Sequence, residues 1–225
     1  MIRSIDIVSR NFNVLQEKQK NLGSNTENIT TPGFKYQEMI HSTLPQREIL
    51  HHAGGPKLNQ RAVLGDFTLG NQLDEVITHM KDGSLQETGI PTDYAVMGNG
   101  FFTVDSPEGE VYTRNGRFTV NPEGTLVTAE GYTVQTANGY PVITSFDDPQ
   151  AMLTSTDNGY FTGQGGEISM ESSSLYQGFL ESANVEIADI MLEMIQISRE
   201  FEATQKVLQA SNETLQKVTT EVGKV

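Results

Sequence analysis

Both ends of the chain carry an apolar repeat of seven residues, and the middle of the chain lacks it. The N-terminal repeat consists of Met1, Val8, Leu15, Leu22 and Ile29. The C-terminal repeat consists of Ile187, Met194, Phe201, Leu208, Leu215 and Val222. An apolar period of seven that persists over several turns is typical of helices that pack along a coiled-coil seam. The sequence therefore predicts two terminal helices whose apolar rows pack against other helices.

The residues that flank the repeats predict where the two helices begin and end. The first helix is expected to run from about Ser4 to Asn28, because Pro32 and Gly33 then remove a backbone donor and helix propensity. The second is expected from Asn184 to Val222, which at about 1.5 Å per residue is a rod of roughly 58 Å. A rod of this length exceeds what a small globular domain needs.

The middle of the chain changes to a period of two. From Tyr94 onward, short apolar segments alternate with turns that are rich in Gly, Pro and Asn. This pattern predicts a small antiparallel β-domain, which together with the helices gives an α+β fold. The predicted divisions are an N-terminal helix at 1–33, an extended linker with short strands at 34–90, the β-domain at 91–172, and a return linker with the long C-terminal helix at 173–225.

Composition excludes several classes of protein. The net charge is −14, and residues 91–172 hold eleven acidic side chains against Arg114 and Arg117, so nucleic-acid binding is not expected. No apolar run reaches eighteen residues and charged residues interrupt the start of the chain, so we expect neither an integral membrane protein nor a Sec signal peptide. The absence of cysteine excludes disulfides, thiol nucleophiles and thiolate metal ligands.

Three local patterns could suggest an enzyme, and each has a simpler interpretation. His51-His52 could ligate a metal, but adjacent residues of a strand point to opposite faces. Gly163-Gln164-Gly165-Gly166 is glycine-rich but lacks the Lys-Ser/Thr of a phosphate-binding loop. Asp147-Asp148 precedes a proline and therefore predicts a surface turn. We predict no catalytic residue, no metal site and no cofactor.

Three motifs are more specific than the periodic pattern. The first is an N-terminal signature of Asn25, Asn28, Thr31, Pro32, Gly33, Phe34 and Lys35. The second joins Gly98-Asn99-Gly100-Phe101-Phe102 to Tyr112-Thr113-Arg114-Asn115-Gly116-Arg117-Phe118. The third is Gln177-Gly178-Phe179-Leu180-Glu181-Ser182-Ala183-Asn184-Val185. In this order they resemble the bacterial flagellar rod and hook-basal body protein family, with the nearest likeness to its distal-rod and proximal-rod members.

The resemblance implies a structural subunit of the flagellar rod that is not an enzyme. It implies that the terminal helices pair as a coiled-coil inner layer beneath the β-domain. It also implies polymerisation into the tubular drive shaft that transmits torque to the hook, export by the flagellar type III apparatus, a location in the basal body of the cell envelope, and contact with other rod, hook and basal-body subunits. The expected assembly interface consists of Leu15, Leu22, Ile29, Ile187, Met194, Phe201, Leu208 and Leu215.

The residues alone leave a second function open. A coiled coil also oligomerises ligand-binding domains, as in a non-flagellar scaffold or adhesin. That alternative predicts a closed oligomer whose helices are already formed in solution, whereas the rod hypothesis predicts an open helical polymer.

Overall fold

The computed structural model describes residues 2–52, 61–156, 159–163, 167–168 and 173–222. It has the predicted α+β composition, with a long helix near each end and strands between them. The helices are α1 (Ile2–Glu27), a one-turn 3-10 helix (Asn28–Thr30), α2 (Pro149–Met152) and α3 (Ile187–Val222). In the described residues, no helix combines the length and the apolar character that crossing a membrane requires.

Strands fill the chain between the two long helices. The first group is β1 (Gln37–Thr43), β2 (Arg47–His52), β3 (Arg61–Phe67), β4 (Asn71–Thr78) and β5 (Leu85–Glu87). The second group is β6 (Tyr94–Gly98), β7 (Gly100–Ser106), β8 (Gly109–Thr113), β9 (Thr119–Val120), β10 (Leu126–Val127), β11 (Thr133–Val134), β12 (Thr136–Ala137), β13 (Tyr140–Pro141) and β14 (Ile143–Ser145). The third group is β15 (Leu153–Ser155), β16 (Tyr160–Gly163), β17 (Glu167–Ile168), β18 (Ser173–Gln177) and β19 (Phe179–Glu181).

Contacts divide the chain into two compact units. The first, here called the helical unit, consists of Met1–Leu22, Met39–Val76 and Met191–Val225. The second, here called the β-unit, consists of Gly23–Glu38 and Ile77–Ile190. Each long helix therefore contributes residues to both units. The predicted boundary at residue 33 falls inside the β-unit, because the end of α1 and the residues after it belong there.

The segment at 34–90 is more regular than an extended linker. Its strands reach eight residues in β4, and β2 pairs with β3 as an antiparallel hairpin. Prolines and glycines such as Pro45 and Gly70 lie between the strands, so they end strands rather than prevent them. Gly65, with a φ of 131°, lies where the register of the hairpin shifts, and a glycine tolerates that bulge geometry.

The core of the β-unit is an antiparallel sheet in the order β15-β16-β8-β7-β11-β10-β9, with β14 also paired to β7. The hairpin of β7 and β8 turns at Pro107-Glu108, as the period of two predicts. Two apolar clusters cover this sheet. One contains Tyr94, Val96, Phe102, Val104, Phe118, Val134 and Ile143. The other contains Phe101, Tyr112, Phe146, Leu153 and Phe161.

The β-unit extends beyond the predicted limit at residue 172. Strand β18 pairs with β6, and β19 pairs with β5. The segment at 171–176, which we expected to be part of the return linker, therefore contributes a strand in its described residues. Its alternation is masked by serine, because Ser173 is buried and Leu175 packs against the first apolar cluster. Strand β6 therefore pairs with β18 and not with β7, its neighbour in the sequence.

Candidate functional site

The predicted interface residues of α1 lie in the contact between the two long helices. Leu15 and Leu22 are 2% and 3% exposed and form an apolar cluster with Ile197 and the half-buried Phe201. The ring of Phe201 also lies 5.6 Å from that of Phe12, centroid to centroid. Apolar residues from both helices therefore exclude water along this part of the helical unit.

On α3, the row that is buried starts three residues after the row we singled out. The buried row is Ile190, Ile197 and Thr204. Of the predicted row, Ile187 and Met194 are exposed, and Phe201, Leu208 and Leu215 are half-buried. Both rows repeat every seven residues, so the period was sufficient to predict the helix but not which row is covered. Ile29, the last of the predicted α1 row, is half-buried in the 3-10 helix of the β-unit.

A polar pair interrupts the apolar row without leaving a buried group unsatisfied. The amide of Asn11 donates to Oγ1 of Thr204 at 3.1 Å. The same hydroxyl donates to the carbonyl oxygen of Glu200 at 2.7 Å, one turn earlier on α3. A polar pair inside an apolar seam disfavours other alignments of two helices, because a shift would bury these groups without partners.

The side of α3 that carries the exposed part of the predicted row is apolar. Its exposed side chains in the helical unit are Met191, Leu192, Met194 and Ile195, at 59%, 65%, 37% and 51%. Contiguous apolar side chains on a surface are typical of an interaction site. Methionine is also suited to contacts with more than one partner, because its side chain is flexible and polarizable.

The two asparagines of the N-terminal signature have separate roles at the end of α1. Asn25 is fully buried, and its side-chain amide pairs with both backbone groups of Gln37, at 2.8 Å and 3.1 Å. Asn28 accepts the hydroxyl proton of Thr31 at 3.1 Å and donates to the carbonyl of Ser24 at 3.0 Å. The first asparagine therefore fixes the chain after the helix, and the second closes the helix end. Pro32, half-buried, follows this closure.

Gly33 lies where two backbone segments touch. Its φ is +69°, and its N–H donates to the carbonyl of Glu181 at 2.8 Å. A Cβ at this position would lie 2.2 Å from the carbonyl oxygen of Arg114, well inside van der Waals contact. Glycine is therefore required by both the conformation and the space. Phe34, next in the chain, is 4% exposed.

Lys35 is buried in a group of charged side chains, here called the ionic cluster and made of Lys35, Asp82, Arg114 and Glu181. The Lys35 side chain is 0% exposed, and its ammonium lies 2.7 Å from Oε1 of Glu181 and 2.7 Å from the carbonyl oxygen of Lys81. Arg114 contacts the other oxygen of Glu181 at 3.2 Å and Oδ1 of Asp82 at 3.3 Å. The cluster thus holds two cations and two carboxylates, and its formal charges cancel.

The surroundings of Arg114 explain how its guanidinium remains buried. It donates to the carbonyl oxygens of Val96, at 3.0 Å, and Gly98. Its Cζ lies 4.7 Å from the centroid of the Phe101 ring, and a cation over an aromatic face is stabilised by the ring quadrupole. Nε has no hydrogen-bond partner among the described residues. The guanidinium is therefore held from three sides inside the β-unit.

Two effects act in opposite directions on the pKa of Lys35 in the ionic cluster. Burial lowers the pKa of the Lys35 ammonium from its usual 10.5, and the carboxylate of Glu181 counteracts that shift. Glu181 also accepts the N–H of Gly83 at 2.8 Å. One carboxylate thus satisfies a lysine, an arginine and a backbone amide, so its loss leaves several buried donors without an acceptor.

The sequence provided the members of this cluster without indicating that they meet. Lys35, Arg114 and Glu181 belong to the first, second and third motifs, respectively, and Asp82 belongs to none. Lys35 and Glu181 are 146 residues apart. A charged residue next to an apolar one, as in Phe34-Lys35 and Leu180-Glu181, was the available signal for burial.

None of the three patterns that could suggest an enzyme forms a metal or catalytic site in the described residues. His51 and His52 lie in β2, and their side chains are outside the described residues. Of the glycine-rich stretch, residues 164–166 are outside the described residues. Asp148 accepts the N–H of Ala151 at 3.3 Å and caps α2. In the described ranges, no three His, Asp or Glu side chains converge as a metal ion requires. The ionic cluster itself is charge-balanced, and three of its four members, Lys35, Arg114 and Glu181, are buried, which suits structure rather than catalysis.

Comparisons with known proteins agree on one family. Residues 95–198 match the model of the flagellar hook protein FlgE/F/G D1 domain, and residues 176–221 match that of the flagellar basal body rod FlgEFG protein C-terminal region. The chain is 28% identical to the flagellar basal-body rod protein FlgG of Bacillus subtilis strain 168, over 97% of this chain and 98% of that protein. It is 27% identical to FlgG of Buchnera aphidicola subsp. Baizongia pistaciae, over 97% and 99%. It is 27% identical to the rod protein FlgF of Mesorhizobium japonicum, over 84% and 85%.

Proposed function

The chain belongs to the flagellar basal-body rod protein family and is a structural protein of the basal body, and from that premise we propose how it acts there. It polymerises through its terminal helices into the tubular drive shaft that transmits torque to the hook. It reaches that place through the flagellar type III apparatus. Its partners are further copies of itself and neighbouring rod, hook and basal-body subunits.

The exposed apolar side of α3 is the observation that carries this proposal. In the isolated chain Met191, Leu192 and Ile195 are each more than half exposed, although each lies within two residues of the buried Ile190 or Ile197. Burying such side chains stabilises a contact by about 1.5–3 kcal/mol each. A chain that meets identical neighbours in a repeating array can cover this surface on every copy.

In the proposed drive shaft, the contact between α1 and α3 has a mechanical role. We infer that the two helices supercoil as a coiled coil, because Leu15, Leu22 and Ile197 already pack together and the apolar rows repeat every seven residues. Close-packed side chains compress little, so such a helix pair resists bending and twisting. The predicted residues Leu208 and Leu215, half-buried in the isolated chain, lie along the same stretch of α3.

Polymerisation is tested by replacing exposed apolar residues with a small polar one. In the variant M191S/I195S we expect the purified chain to keep its helical circular dichroism, and the critical concentration for polymer formation to rise about 100-fold. The matched control is Q196S, which changes an exposed polar residue of the same helix segment. Sedimentation and electron microscopy of the polymer measure both variants. A discrete oligomer of fixed size in the unmodified chain, insensitive to M191S/I195S, contradicts the rod proposal and favours the scaffold or adhesin.

Export is tested in cells with a tagged copy of the chain. We expect the tagged chain outside the cytoplasm when the flagellar type III apparatus is intact and inside when its export gate is deleted. A chain without cysteine forms no disulfide that would obstruct passage as an unfolded polypeptide. Fractionation followed by immunoblotting gives the distribution. Equal export from both strains shows that another route carries the chain.

A further inference from the structure

The residues that follow the 3-10 helix are held by a distant part of the chain. These residues, 33–37, are here called the signature segment. Gly33 donates to the carbonyl of Glu181, and the carbonyl of Phe34 accepts the N–H of Asn184 at 3.2 Å. Tyr36 donates to Oδ1 of Asn184 at 2.6 Å and accepts the N–H of His79 at 2.8 Å. The backbone of the signature segment is thus satisfied mainly by residues at 79 and 181–184.

The receiving surface, here called the socket, exists only when the β-unit has folded. It is formed by the backbone at 79–83, by Arg114 directly after β8, and by residues 181–184 at the end of β19. Asn184 joins two of these pieces, because its amide donates to the carbonyls of His79 at 2.7 Å and Lys81 at 3.0 Å. Since these pieces are up to about a hundred residues apart in sequence, no local folding event can create the socket.

The signature segment contributes little to the apolar core. The two apolar clusters of the β-unit, as described, draw their members from residues 80–175. Phe34 is the buried apolar side chain that the segment supplies. Release of the segment would therefore expose the Phe34 ring, separate the half-buried Tyr36 ring from that of His79 and hydrate one ammonium, while the sheet keeps its packing. Local opening of this kind requires much less free energy than global unfolding.

We propose that the signature segment is a conformational latch, which closes onto a folded β-unit, opens without unfolding it, and is held closed by Lys35. The latch goes beyond the proposed rod function and does not depend on it. Its charge gives two discrete states: seated, where the Lys35 ammonium lies between Glu181 and the Lys81 carbonyl, and released, where water solvates it. An ammonium that is only partly inserted has neither its protein partners nor full hydration, so intermediate positions are disfavoured. Through the pairing of Asn25 with Gln37, closure also fixes the end of α1. The anchoring of α1 thereby becomes conditional on the folding of residues 79–184.

The variant K35M of the full chain tests the latch. Methionine has a similar length and leaves Glu181 paired with Arg114 and Gly83, so no carboxylate is stranded. Hydrogen exchange by NMR should accelerate about 100-fold at the amides of Gly33, Tyr36 and Gln37. The amides of Thr103, Gln135 and Val142, which bond within the sheet, should keep their rates. The matched control is K81M, since Lys81 is exposed and contributes only its carbonyl.

Two results would overturn the latch. If K35M accelerates the sheet amides as much as that of Gly33, Lys35 is a global stabiliser. If Gly33 stays as protected in K35M as in K81M, the ammonium does not hold the segment. Native-state exchange of the unmodified chain provides a measurement that needs no variant. There, the amides of Gly33, Tyr36 and Gln37 should share one opening equilibrium that is distinct from that of Thr103. If these three amides open together with Thr103, or each opens independently of the others, the segment is not a latch.

Discussion

Replacing Glu181 by alanine is expected to lower the free energy of unfolding of the β-unit by about 3–5 kcal/mol. The carboxylate is 1% exposed and is shared by Lys35, Arg114 and the amide of Gly83. Its removal leaves two buried cations side by side. Lys35 can escape by releasing the signature segment, but Arg114 is held by the carbonyls of Val96 and Gly98 and by the Phe101 ring. The remaining partner, Asp82, is partly exposed and compensates only in part.

Tyrosine fluorescence during urea unfolding measures this effect without any added probe. The chain has no tryptophan, and all seven of its tyrosines lie in the β-unit. The matched control is E87A, which removes an exposed glutamate from β5, the strand that pairs with β19. We expect E87A to change stability by less than about 0.5 kcal/mol. Equal losses in E181A and E87A would mean that the ionic cluster does not stabilise the β-unit.

The pH dependence of the same variant tests whether the stranded charge is the cause. Burial holds the pKa of Lys35 below its unfolded value of 10.5, and Glu181 is the largest opposing influence. Without Glu181 the pKa of Lys35 falls further, so the unfolded state binds more protons than the folded state between that pKa and 10.5. Stability then rises with pH in this window. The deficit of E181A relative to the unmodified chain should therefore be smaller at pH 10 than at pH 7. A deficit that is constant with pH points to lost packing instead.

The long helices were predictable because their period extends over many turns. The sequence placed α1 at about Ser4 to Asn28, and the structure has it at Ile2–Glu27. It placed the start of the second helix at Asn184, whereas α3 begins at Ile187. The difference has a physical reason, because Asn184 uses its side chain to bind Tyr36, His79 and Lys81 instead of entering the helix.

Pairing across long distances was not predictable from local pattern. Strand β18 begins with two serines and packs one large side chain, Leu175, against the core, whereas the next residue, Tyr176, is exposed. Its period of two is therefore too weak to separate it from a linker. The ionic cluster posed the same difficulty, since Arg114 and Glu181 are 67 residues apart. A motif shows that a charged residue is part of a local pattern. Only the folded chain shows which opposite charge it meets.

Replacing Leu15 by alanine is expected to lower the free energy of unfolding of the helical unit by about 2–5 kcal/mol. Leu15 is 2% exposed and packs with Leu22, Ile197 and Phe201. The substitution leaves a cavity where α1 meets α3. Since most of the stability of a helix in a protein comes from packing of its apolar face, helix content should fall with this contact. The β-unit should keep its own tyrosine signal, because its apolar clusters lie elsewhere in the chain.

Circular dichroism at 222 nm during urea unfolding measures the loss, with L192A as the matched control. That variant makes the same substitution on α3 at a side chain that is 65% exposed, so it should cost less than about 0.5 kcal/mol in the isolated chain. If the chain polymerises as proposed, L192A should instead raise the critical concentration, because Leu192 would then be covered by a neighbouring copy. Equal helix content in L15A and L192A would contradict the packing of α1 on α3 in the free chain. The helices would then acquire their partners only in the polymer, and the ordering of the chain ends would be part of the free energy of assembly.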